Sequence, residues 1–438
     1  MKTRNIYSAL CTTFVAALAL VACNDYDAAQ TAYEEIVDSD VTITPPDIDS
    51  AWELQLIPNV GQHSGEVFVY KDKKYDKLFT RTLGWNGGIG MQSTSLSDGN
   101  VLWAFNDSYY GVVDAETRAR GNCNFPHNSI MVQTTVGGSL GETDDDLKWL
   151  VDYIQTNDPN GEGYYQAYAH IVPDETIMEG TDENYFYQIG GTTVFDNNGV
   201  KELQMLWGGI DNHEGKMTRT GTLEGQPGNS TYLRRISKDE GFNIDDVGYG
   251  STMWKDEDGH IYLYVTENNR PLVARTTTHD LASEWEYYIR DLSGNFMWQK
   301  MYPTKEERTR STIMENNYVC SMPQIFKKGD SYYMVGQAIS CGHSVYLYRS
   351  ETPYGPFTNQ KVLFNVPYSV DKIGNQYYKD LLRVNLHLEL AREGELVFST
   401  NTDADTAGDN FDFPGSADFC RPYFYRVFNW ESIYDEDE

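Results

Sequence analysis

Acidic residues that follow predicted strands are the side chains of this sequence best suited to acid–base chemistry. Asp107 follows an apolar run, and Asp211 and Glu267 follow later apolar runs in the same way. Glu389 stands two residues after His387, so on a strand both side chains would share one face. Two carboxyl groups that flank a scissile bond can donate a proton and activate water. We therefore take these four acids as candidate catalytic residues, Asp107 first.

Each of these acids also has a structural interpretation. Asp107 could end its strand by capping the turn before Ser108. Glu389 could be a rim residue paired with Arg383 or Arg421. If Glu389 instead donates a proton, burial and a nearby like charge should raise its pKa. The other two acids could be ordinary turn residues.

Five stretches share one design, in which two strands are joined by a polar turn and followed by a third strand. Glycine with Asp or Asn in the turns supplies the positive φ angles of tight hairpins. The predicted strands are Met91–Ser95, Val101–Asn106, Ser129–Thr134; Gln188–Phe195, Leu203–Gly208, Ser230–Ile236; Ser251–Lys255, Ile261–Thr266, Pro271–Thr276; Pro323–Lys327, Ser331–Ala338, Ser344–Arg349; and His387–Ala391, Glu395–Thr400, Pro422–Phe428.

Five quasi-repeats of a strand meander predict an all-β fold, a five-bladed β-propeller over residues 51–438. A pair of packed β-sandwiches is the alternative. Helical periodicity is nearly absent, and Asp144–Thr156 is the best helix candidate. In a propeller the long loops should gather over one end of a central channel, where the strand-end acids would meet.

Several motifs resemble a family of five-bladed β-propeller glycoside hydrolases from Bacteroidetes and actinobacteria that includes endo-acting D-arabinofuranosidases. The segments that carry the resemblance are Gly84–Gly90, Asp98-Gly99, Leu102–Asp107, Asn385–Glu389, Phe398–Thr402 and Arg421–Phe424. Ser331–Met334 and Ser350–Phe357 are similar to the fourth blade of arabinanase-type propellers. The resemblance implies cleavage of glycosidic bonds by paired carboxyl groups and places Asp107 on the family's active-site aspartate.

The sequence departs from these families at two acidic positions. Ile89 stands where the first family usually carries an acid, and Ser321-Met322-Pro323 replaces the Glu-Gly-Pro of the arabinanase type. Isoleucine can neither carry a proton nor hold a charge. Either another carboxylate has taken over, or the chain binds glycan without cutting it.

Residues near the candidate acids could bind a sugar. His127 and Asn128 could hydrogen-bond sugar hydroxyls near Asp107, or belong to a structural loop. Aromatic rings could stack on the apolar face of a sugar, although aromatic residues also fill the sheets of such folds. The candidate binding residues are Trp85, Tyr109, Tyr110, His127, Asn128, Trp207, His387 and Arg421.

The charge of the chain limits its partners. The 438 residues include 34 Lys and Arg against 65 Asp and Glu, a formal net charge of −31. This charge argues against nucleic acid and anionic membranes as partners. It also disfavours a polyanionic substrate such as pectin, although a local patch could override the average. A solubility role for the charge is the plainer interpretation.

The first residues predict export and a lipid anchor. Lys2 and Arg4 precede an apolar run that is too short to span a bilayer comfortably and ends at Cys23. Leu20–Cys23 resembles a lipobox, so we expect residues 1–23 to be a signal peptide with lipidation at Cys23. A plain secreted protein is the alternative. Residues 24–50 predict a flexible tether, and the acids after Cys23 resemble a surface-export signal of Bacteroidetes lipoproteins.

The remaining cysteines and acids bear on disulfides and metals. Four cysteines outside residues 1–23 allow three pairings, of which we expect Cys320 with Cys341 and Cys123 with Cys420. No Cys-x-x-Cys occurs, so zinc is not expected. Asp403, Asp405 and Asp409 could hold calcium or form a solvated acidic loop. No other cofactor is expected.

The sequence thus predicts a monomeric lipoprotein of the outer membrane, exposed at the cell surface and touching the membrane only through its lipid. Its predicted activity is hydrolysis of a polysaccharide at furanosidic, arabinan-type linkages, with Asp107 and one of the other three acids. A non-catalytic glycan-binding lipoprotein of a polysaccharide-utilisation system is the alternative. A structural surface protein with an unused channel is the third interpretation.

Overall fold

Antiparallel strands are the predominant secondary structure in the described part of the chain in the computed structural model. The structure describes residues 52–57, 67–149, 153–156, 164–167, 186–210, 214–220, 240–243, 248–316, 318–339, 341–366, 372–373, 376–377 and 381–437. The predicted signal peptide, Cys23 and the tether lie outside these residues. The all-β prediction is confirmed, because the described helices are short. No helix in these ranges is long and apolar enough to cross a membrane.

The structure describes sixteen strands in the first half of the chain. In chain order they are β1 Leu54–Ile57, β2 Phe68–Asp72, β3 Leu83–Gly88, β4 Gln92–Ser95, β5 Val101–Phe105, β6 Ser108–Val113, β7 Arg120–Asn124, β8 Ser129–Gln133, β9 Thr135–Val136, β10 Ser139–Leu140, β11 Leu147–Trp149, β12 Tyr153–Thr156, β13 Tyr164–Ala167, β14 Phe186–Asn197, β15 Val200–Ile210 and β16 Glu214–Thr220.

The second half continues the strand series. Its strands are β17 Glu240–Asn243, β18 Thr252–Lys255, β19 Ile261–Glu267, β20 Arg270–Thr276, β21 Trp285–Arg290, β22 Phe296–Gln299, β23 Ser321–Lys328, β24 Ser331–Gln337, β25 Ser344–Ser350, β26 Thr358–Asn365, β27 Lys372–Ile373, β28 Gln376–Tyr377, β29 Val384–Leu386, β30 Glu395–Asn401 and β31 Pro422–Phe428. The α-helices are α1 Lys73–Leu78 and α2 Lys305–Arg310, and the 3-10 segments are Asp144–Asp146, Leu388–Leu390, Ala407–Asn410, Ser416–Asp418 and Trp430–Asp437.

Five sheets of four or five strands form the body of the molecule. Their strand orders are β11-β8-β5-β4, β14-β15-β16-β17, β18-β19-β20-β21-β22, β23-β24-β25-β26 and β1-β2-β31-β30-β29. A three-stranded sheet, β3-β6-β7, accompanies the first of them. In each of the five larger sheets, one edge strand is the first strand of a sequence repeat. These edge strands are β4, β14, β18, β23 and β29.

Local turn chemistry explains why the hairpins form where the sequence predicts them. Between β4 and β5, Gly99 has φ +86°, and the Asp98 carboxylate accepts the backbone N–H of Asn100 at 3.1 Å. Only glycine adopts such a φ without steric cost. The predicted first and second strands of the first four repeats are confirmed within a few residues. In the second repeat, Glu214–Thr220 is the third strand, and the predicted Ser230–Ile236 lies outside the described residues.

Each of these edge strands contacts the next one in chain order, from β4 through β14, β18 and β23 to β29. The 388–390 segment, which follows β29, contacts β4 and so completes the cycle. Hydrogen bonds across the joints reinforce this order. They are Ile189 N–H to Asn106 Oδ1 at 2.8 Å, Gly191 N–H to Gly250 O at 2.6 Å, Gln324 Nε2 to Val384 O at 2.7 Å and Asn401 Nδ2 to Gly88 O at 2.9 Å. Thr252 Oγ1 donates to Pro323 O between the third and fourth sheets.

The two ends of the described chain close the fifth sheet together. Strand β2 pairs with β31, so N-terminal strands complete a sheet begun by the C-terminal ones. Arg426 lies buried at this junction and donates to Asp72 and Glu395, each at 2.6 Å. Asp72 also caps α1 by accepting the N–H of Tyr75 at 3.0 Å. Removing either partner of such a buried ion pair would leave an uncompensated charge. Arg426, Asp72 and Glu395 therefore stabilise the junction together.

The predicted helix at Asp144–Thr156 is wrong. Asp144–Asp146 forms one 3-10 turn, in which Asp146 accepts the backbone N–H of Thr143 at 2.9 Å. Leu147–Trp149 then pairs with β8 as an edge strand. The acidic run favours a capped turn, and sheet pairing outweighs the helical spacing of the apolar residues that follow.

The predicted disulfides are not formed. Cys123, Cys320 and Cys420 are free thiols, which excludes both the Cys320–Cys341 and the Cys123–Cys420 bridge in this structure. Cys420 instead contacts the Asp403 carboxylate at 3.3 Å, and Cys123 lies 3.7 Å from Asn86 Nδ2. Burial raises the pKa of Cys320 and Cys420, which keeps both as unreactive thiols.

Candidate functional site

A cavity of about 180 Å³ lies where the five edge strands meet. Every one of the five sheets contributes side chains to it. The lining residues are Gln92, Ser93, Thr94, Gly191, Thr192, Thr252, Met253, Trp254, Gln324, Ile325, Arg383, Asn385, Leu386, Leu388 and Glu389. We call this space the central cavity. Arg383 precedes β29 and Glu389 follows it, so they mark opposite ends of the cavity.

The Arg383 end of the cavity is formed by Gly90 before β4, Asn106 after β5 and Arg383 before β29. Gly90 has φ +64°, and a Cβ atom there would lie 2.6 Å from Asn106 Nδ2 and 3.2 Å from Arg383 Nη1. Asn106 in turn accepts the backbone N–H of Ile189 at 2.8 Å. The absence of a side chain at Gly90 therefore allows the first, second and fifth sheets to approach one another at this end.

Asp107 directly follows Asn106, which lies at this end of the cavity. The Asp107 side chain contacts His127. Their Oδ1 and Nδ1 atoms are 2.7 Å apart, and the two side chains are 18% and 20% exposed. The Asp107 carbonyl accepts the N–H of Ile89, and Asn106 donates to the Ile89 carbonyl, which fixes the end of β5 against the residues before β4. The structure therefore brings Asp107 and His127 together as a carboxylate–imidazole pair that solvent can reach.

The other two strand-end acids have different surroundings. Glu267, the last residue of β19, accepts Arg308 Nε at 3.1 Å and is 20% exposed. That ion pair satisfies the carboxylate and matches the structural interpretation of a turn acid. Asp211 directly follows β15 but lies outside the described residues. Because β15 pairs with β14 as β5 pairs with β4, Asp211 occupies the sequence position that corresponds to the end of β5.

Glu389 lies at the opposite end of the central cavity. The predicted strand over His387–Ala391 is wrong, since β29 ends at Leu386 and 388–390 is a 3-10 turn. Ser93 Oγ donates to Glu389 Oε2 at 2.7 Å, and burial raises the pKa of the Glu389 carboxyl. Glu389 is thus an acid that retains its proton to higher pH than an exposed glutamate. Its predicted pairing with Arg383 or Arg421 is not present.

His387 is buried and makes its hydrogen bonds inside the protein. Its Nδ1 lies 2.7 Å from Ser93 Oγ, and its Nε2 lies 2.7 Å from Ser399 Oγ. Burial lowers the pKa of His387 to about 3, so the ring is neutral at physiological pH. A fully enclosed, neutral ring with both nitrogens engaged cannot contact a sugar, and we therefore assign His387 to the support of Ser93 and Glu389.

Replacing Glu389 by Gln is expected to raise Tm by an amount that depends on pH. The folded-state pKa is raised, so the favourable contribution of the protonated acid is complete below the ordinary value of 4.5 and is lost as pH rises through the folded value. The Tm difference should be near zero at acidic pH and grow to on the order of 2–4 °C near neutrality. Thermal unfolding from about pH 4 to 8 measures it.

The matched control is Glu116→Gln, because Glu116 is exposed on the surface. It should leave Tm unchanged across the same range. A Glu389→Gln variant with a constant Tm difference at every pH would contradict the raised pKa of Glu389.

Most of the predicted sugar-binding aromatics are core residues. Trp85 stacks on Trp149 with ring centroids 4.7 Å apart, and Trp85, Tyr110 and Trp207 are each at most 2% exposed. We therefore assign these three rings to packing and not to sugar stacking. Tyr109 is 7% exposed, and its ring packs against the Arg120 guanidinium 4.0 Å from the centroid.

Two further predicted binding residues are also enclosed. Asn128 is fully buried. Arg421 donates to Asp418 Oδ1 at 2.9 Å and lies over the Tyr423 ring, with the centroid 4.0 Å away. Of the predicted binding residues in the described part of the chain, His127 is the one that combines contact with a candidate acid and exposure to solvent.

The acidic loop that could have held calcium is organised by hydrogen bonds. Asp403 Oδ1 accepts Asn410 Nδ2 at 3.0 Å and the backbone N–H of Ala404 at 2.8 Å. Within the described ranges, no group of three or more His, Cys, Asp or Glu side chains is arranged to hold a metal ion.

Most of the cavity-lining residues were not predicted from the sequence, among them Ser93, Arg383 and Asn385. Ser93 links two residues that were predicted, His387 and Glu389. Arg383 and Asn385 stand at alternating positions around Val384, which places both side chains on one side of β29. That spacing is visible in the sequence, but only the fold shows that this side faces the cavity.

Comparison with known proteins gives the family of the chain. Residues 72–430 match the family described as a domain of unknown function, DUF5005. The chain belongs to this family. A crystal structure of a presumed hydrolase from Bacteroides ovatus ATCC 8483 is 51% identical, with a TM-score of 0.82, and covers 91% of this chain and 100% of that one.

More distant structures also match the DUF5005 chain. A GH43_1 enzyme from Xanthomonas citri complexed with xylotriose is 12% identical over 81% of this chain and 92% of that one, with a TM-score of 0.37. An exo-β-1,3-galactanase from Phanerochaete chrysosporium is 7% identical over 79% and 64%, with a TM-score of 0.40. At these scores neither superposition carries an argument. A search among curated proteins found no match.

Proposed function

We propose that this chain is a five-bladed β-propeller glycoside hydrolase of the cell surface that cleaves a polysaccharide at furanosidic, arabinan-type linkages. The cyclic contacts of the five edge strands support the propeller architecture. The Bacteroides ovatus relative, described as a presumed hydrolase, supports the reaction class. The arabinan-type linkage follows from the sequence resemblance in the first and last blades.

The observation that carries the proposal is the position of Asp107. Its carboxylate lies 2.7 Å from His127 and is partly exposed to solvent, and the preceding residue, Asn106, lies with Arg383 against Gly90 at one end of the central cavity. Hydrolysis of a glycosidic bond requires a carboxyl group that is oriented before the substrate arrives. The imidazole supplies this orientation, and Asp107 is the carboxylate that acts on the substrate.

Asp211 is the proposed partner of Asp107. The two acids follow the second strands of neighbouring sheets, β5 and β15, whose pairing with their edge strands is equivalent. Glu389 is disfavoured as the partner, since it lies at the other end of β29 and is held by Ser93. Glu267 is disfavoured because Arg308 already occupies its carboxylate.

The proposed setting is the outer face of the cell, with the lipid on Cys23 as the anchor and residues 24–50 as the tether. The proposed partner is a polysaccharide or oligosaccharide, and the protein acts as a monomer. A soluble substrate chain could then reach the Arg383 end of the cavity without contact between the protein body and the membrane.

A non-catalytic glycan-binding lipoprotein is the second candidate, and one observation favours it. Ile89, whose backbone N–H donates to the Asp107 carbonyl, stands where the family that the sequence resembles usually carries an acid. In the described lining of the central cavity, Glu389 is the one carboxyl group. A binder needs no pair of carboxyl groups.

Product analysis separates the two candidates. Purified protein is incubated with arabinans and a wider polysaccharide panel, and released oligosaccharides are separated by chromatography. The hydrolase proposal predicts new oligosaccharides from at least one furanosidic substrate. Retention of a polysaccharide in affinity electrophoresis with no product from any substrate would reject the hydrolase and leave the binder.

A further inference from the structure

The Arg383 guanidinium is a buried cation without a counter-ion in the described part of the chain. Arg383 is 8% exposed, and its Nε makes no hydrogen bond. Burial lowers the pKa of Arg383 to about 10, and no acidic neighbour among the described residues offsets this effect. The other buried arginines of the described chain are satisfied: Arg426 pairs with two carboxylates, Arg308 with one, and Arg120 donates to Asn86 and to backbone carbonyls. An unpaired buried charge is unfavourable unless a ligand completes it.

Asn385 adds a second set of unsatisfied groups to the same wall of the central cavity. It is 1% exposed, and neither its Oδ1 nor its Nδ2 has a hydrogen-bond partner. Arg383 and Asn385 both line the cavity, as their alternation on β29 requires. Buried amides in folded proteins are almost always hydrogen-bonded. The cavity therefore contains a cation and an amide that a ligand could satisfy.

The chemistry of Arg383 and Asn385 favours a carboxylate as the ligand. A guanidinium offers parallel N–H donors that match the two oxygens of a carboxylate, and an amide NH₂ adds another donor. One positive charge balances one negative charge, which favours a carboxylate over a phosphate dianion. A neutral hydroxyl would satisfy hydrogen bonds but would leave the charge unbalanced.

The size and lining of the central cavity indicate that the carboxylate belongs to a larger polar molecule. Its volume of about 180 Å³ is more than ten times the ~15 Å³ that one water needs. The rest of the lining combines polar side chains, such as Gln92 and Thr192, with apolar ones, such as Met253 and Trp254. This mixture suits a sugar ring, which carries hydroxyl groups and has apolar faces.

We propose that Arg383 and Asn385 bind the carboxylate of a uronic acid, so that the substrate is an arabinan-type polysaccharide bearing acidic sugar residues. The inference rests on the proposed function, because it takes the ligand to be a saccharide. It places the acidic sugar at the end of the cavity beside Asp107. The net charge of −31 disfavours acidic substrates overall, and this local cation overrides it.

Binding of monosaccharides tests the inference without any need for hydrolysis. Thermal shift and calorimetry are run on the purified protein with D-glucuronic acid and D-galacturonic acid, and with D-glucose, D-galactose and sodium acetate as comparisons. A uronic acid is expected to bind and raise Tm, whereas the neutral sugars and acetate do not. Arg383→Met should weaken uronic acid binding by about tenfold or more.

A second variant distinguishes loss of the binding site from misfolding. Asn385→Asp places a carboxylate beside Arg383 and so supplies an internal counter-ion. It should abolish uronic acid binding and raise Tm in the absence of ligand. Arg383→Met should likewise keep or raise that Tm, whereas the paired arginine variant Arg308→Met should lower it.

Three results would overturn the inference. They are equal stabilisation by a uronic acid and its neutral counterpart, equal stabilisation by acetate, and unchanged uronic acid binding in Arg383→Met. Cleavage of a neutral arabinan by a protein that binds no uronic acid would reject this inference while sustaining the proposed function. Uronic acid binding without hydrolysis of any polysaccharide would sustain the site and reject the hydrolase.

Discussion

Replacing Asp107 by Asn is expected to lower the rate of polysaccharide cleavage by about 10²–10⁴-fold. The amide has nearly the same shape, and its oxygen can still accept a hydrogen bond from His127, which now lies 2.7 Å from the carboxylate. What the variant loses is the negative charge and the ability to take or give a proton. Initial rates of oligosaccharide release measure the effect.

The matched control for this variant is Asp330→Asn, an exposed acid in the turn between β23 and β24. It should cleave at the rate of the unchanged protein, and both variants should unfold at the same temperature. If Asp107→Asn retains full activity, the carboxylate only fixes the end of β5, and the proposed catalytic role is wrong.

Replacing Arg120 by Met is expected to cost at least about 4–5 kcal/mol of unfolding free energy, a very large effect for one residue. Arg120 is fully buried, and its guanidinium donates to Asn86 Oδ1 at 2.8 Å, Phe419 O at 2.9 Å and Asn410 O at 3.0 Å. Methionine fills much of the volume but donates nothing, so several buried carbonyl groups lose their partner. Urea denaturation measures the loss.

Position in the fold makes Arg120 important to the site as well. It ties the three-stranded sheet to the loop at 410–419, and its cation lies over Tyr109, two residues from Asp107. The control is Arg275→Met, since Arg275 is partly exposed and bonded to one carboxylate, Glu286, at 2.7 Å. That variant should lose roughly 1 kcal/mol. Equal losses from the two variants would contradict the account of Arg120 as the organiser of this region.

The parts of the fold that local chemistry determines could be predicted from the sequence. The hairpins around Asp98-Gly99 and the other Gly-containing turns were found because a positive φ is a local requirement. His127 was predicted near Asp107 because both flank one long insertion. These inferences need only neighbouring residues and the period of two along a strand.

Predictions failed where they depend on distances between remote residues or where the fold overrides a local pattern. The even number of cysteines suggested disulfides, but cysteine counts contain no information on separation, and Cys320 lies alone in the core. The alternation Leu386-His387-Leu388-Glu389-Leu390 looks like a strand, yet the chain turns at His387. Trp85 and Trp207 are aromatic and near candidate acids in sequence, and only the fold reveals that their rings are enclosed.

Arg383 shows why the most informative cavity residue could not be predicted. In sequence it is one arginine among 34 basic residues, and a pairing with Glu389 was a reasonable hypothesis. The fold places the two at opposite ends of β29. An unpaired guanidinium becomes significant only when burial and the absence of described acidic neighbours are known together.

The most direct test of the central claim is a crystal structure of the Asp107→Asn variant with an oligosaccharide released from its substrate. We expect a sugar at the Arg383 end of the central cavity, with a glycosidic oxygen or anomeric carbon close to the side chain of residue 107. A sugar bound away from residue 107, on an outer face of the sheets, would contradict the claim that this end of the cavity is the active site.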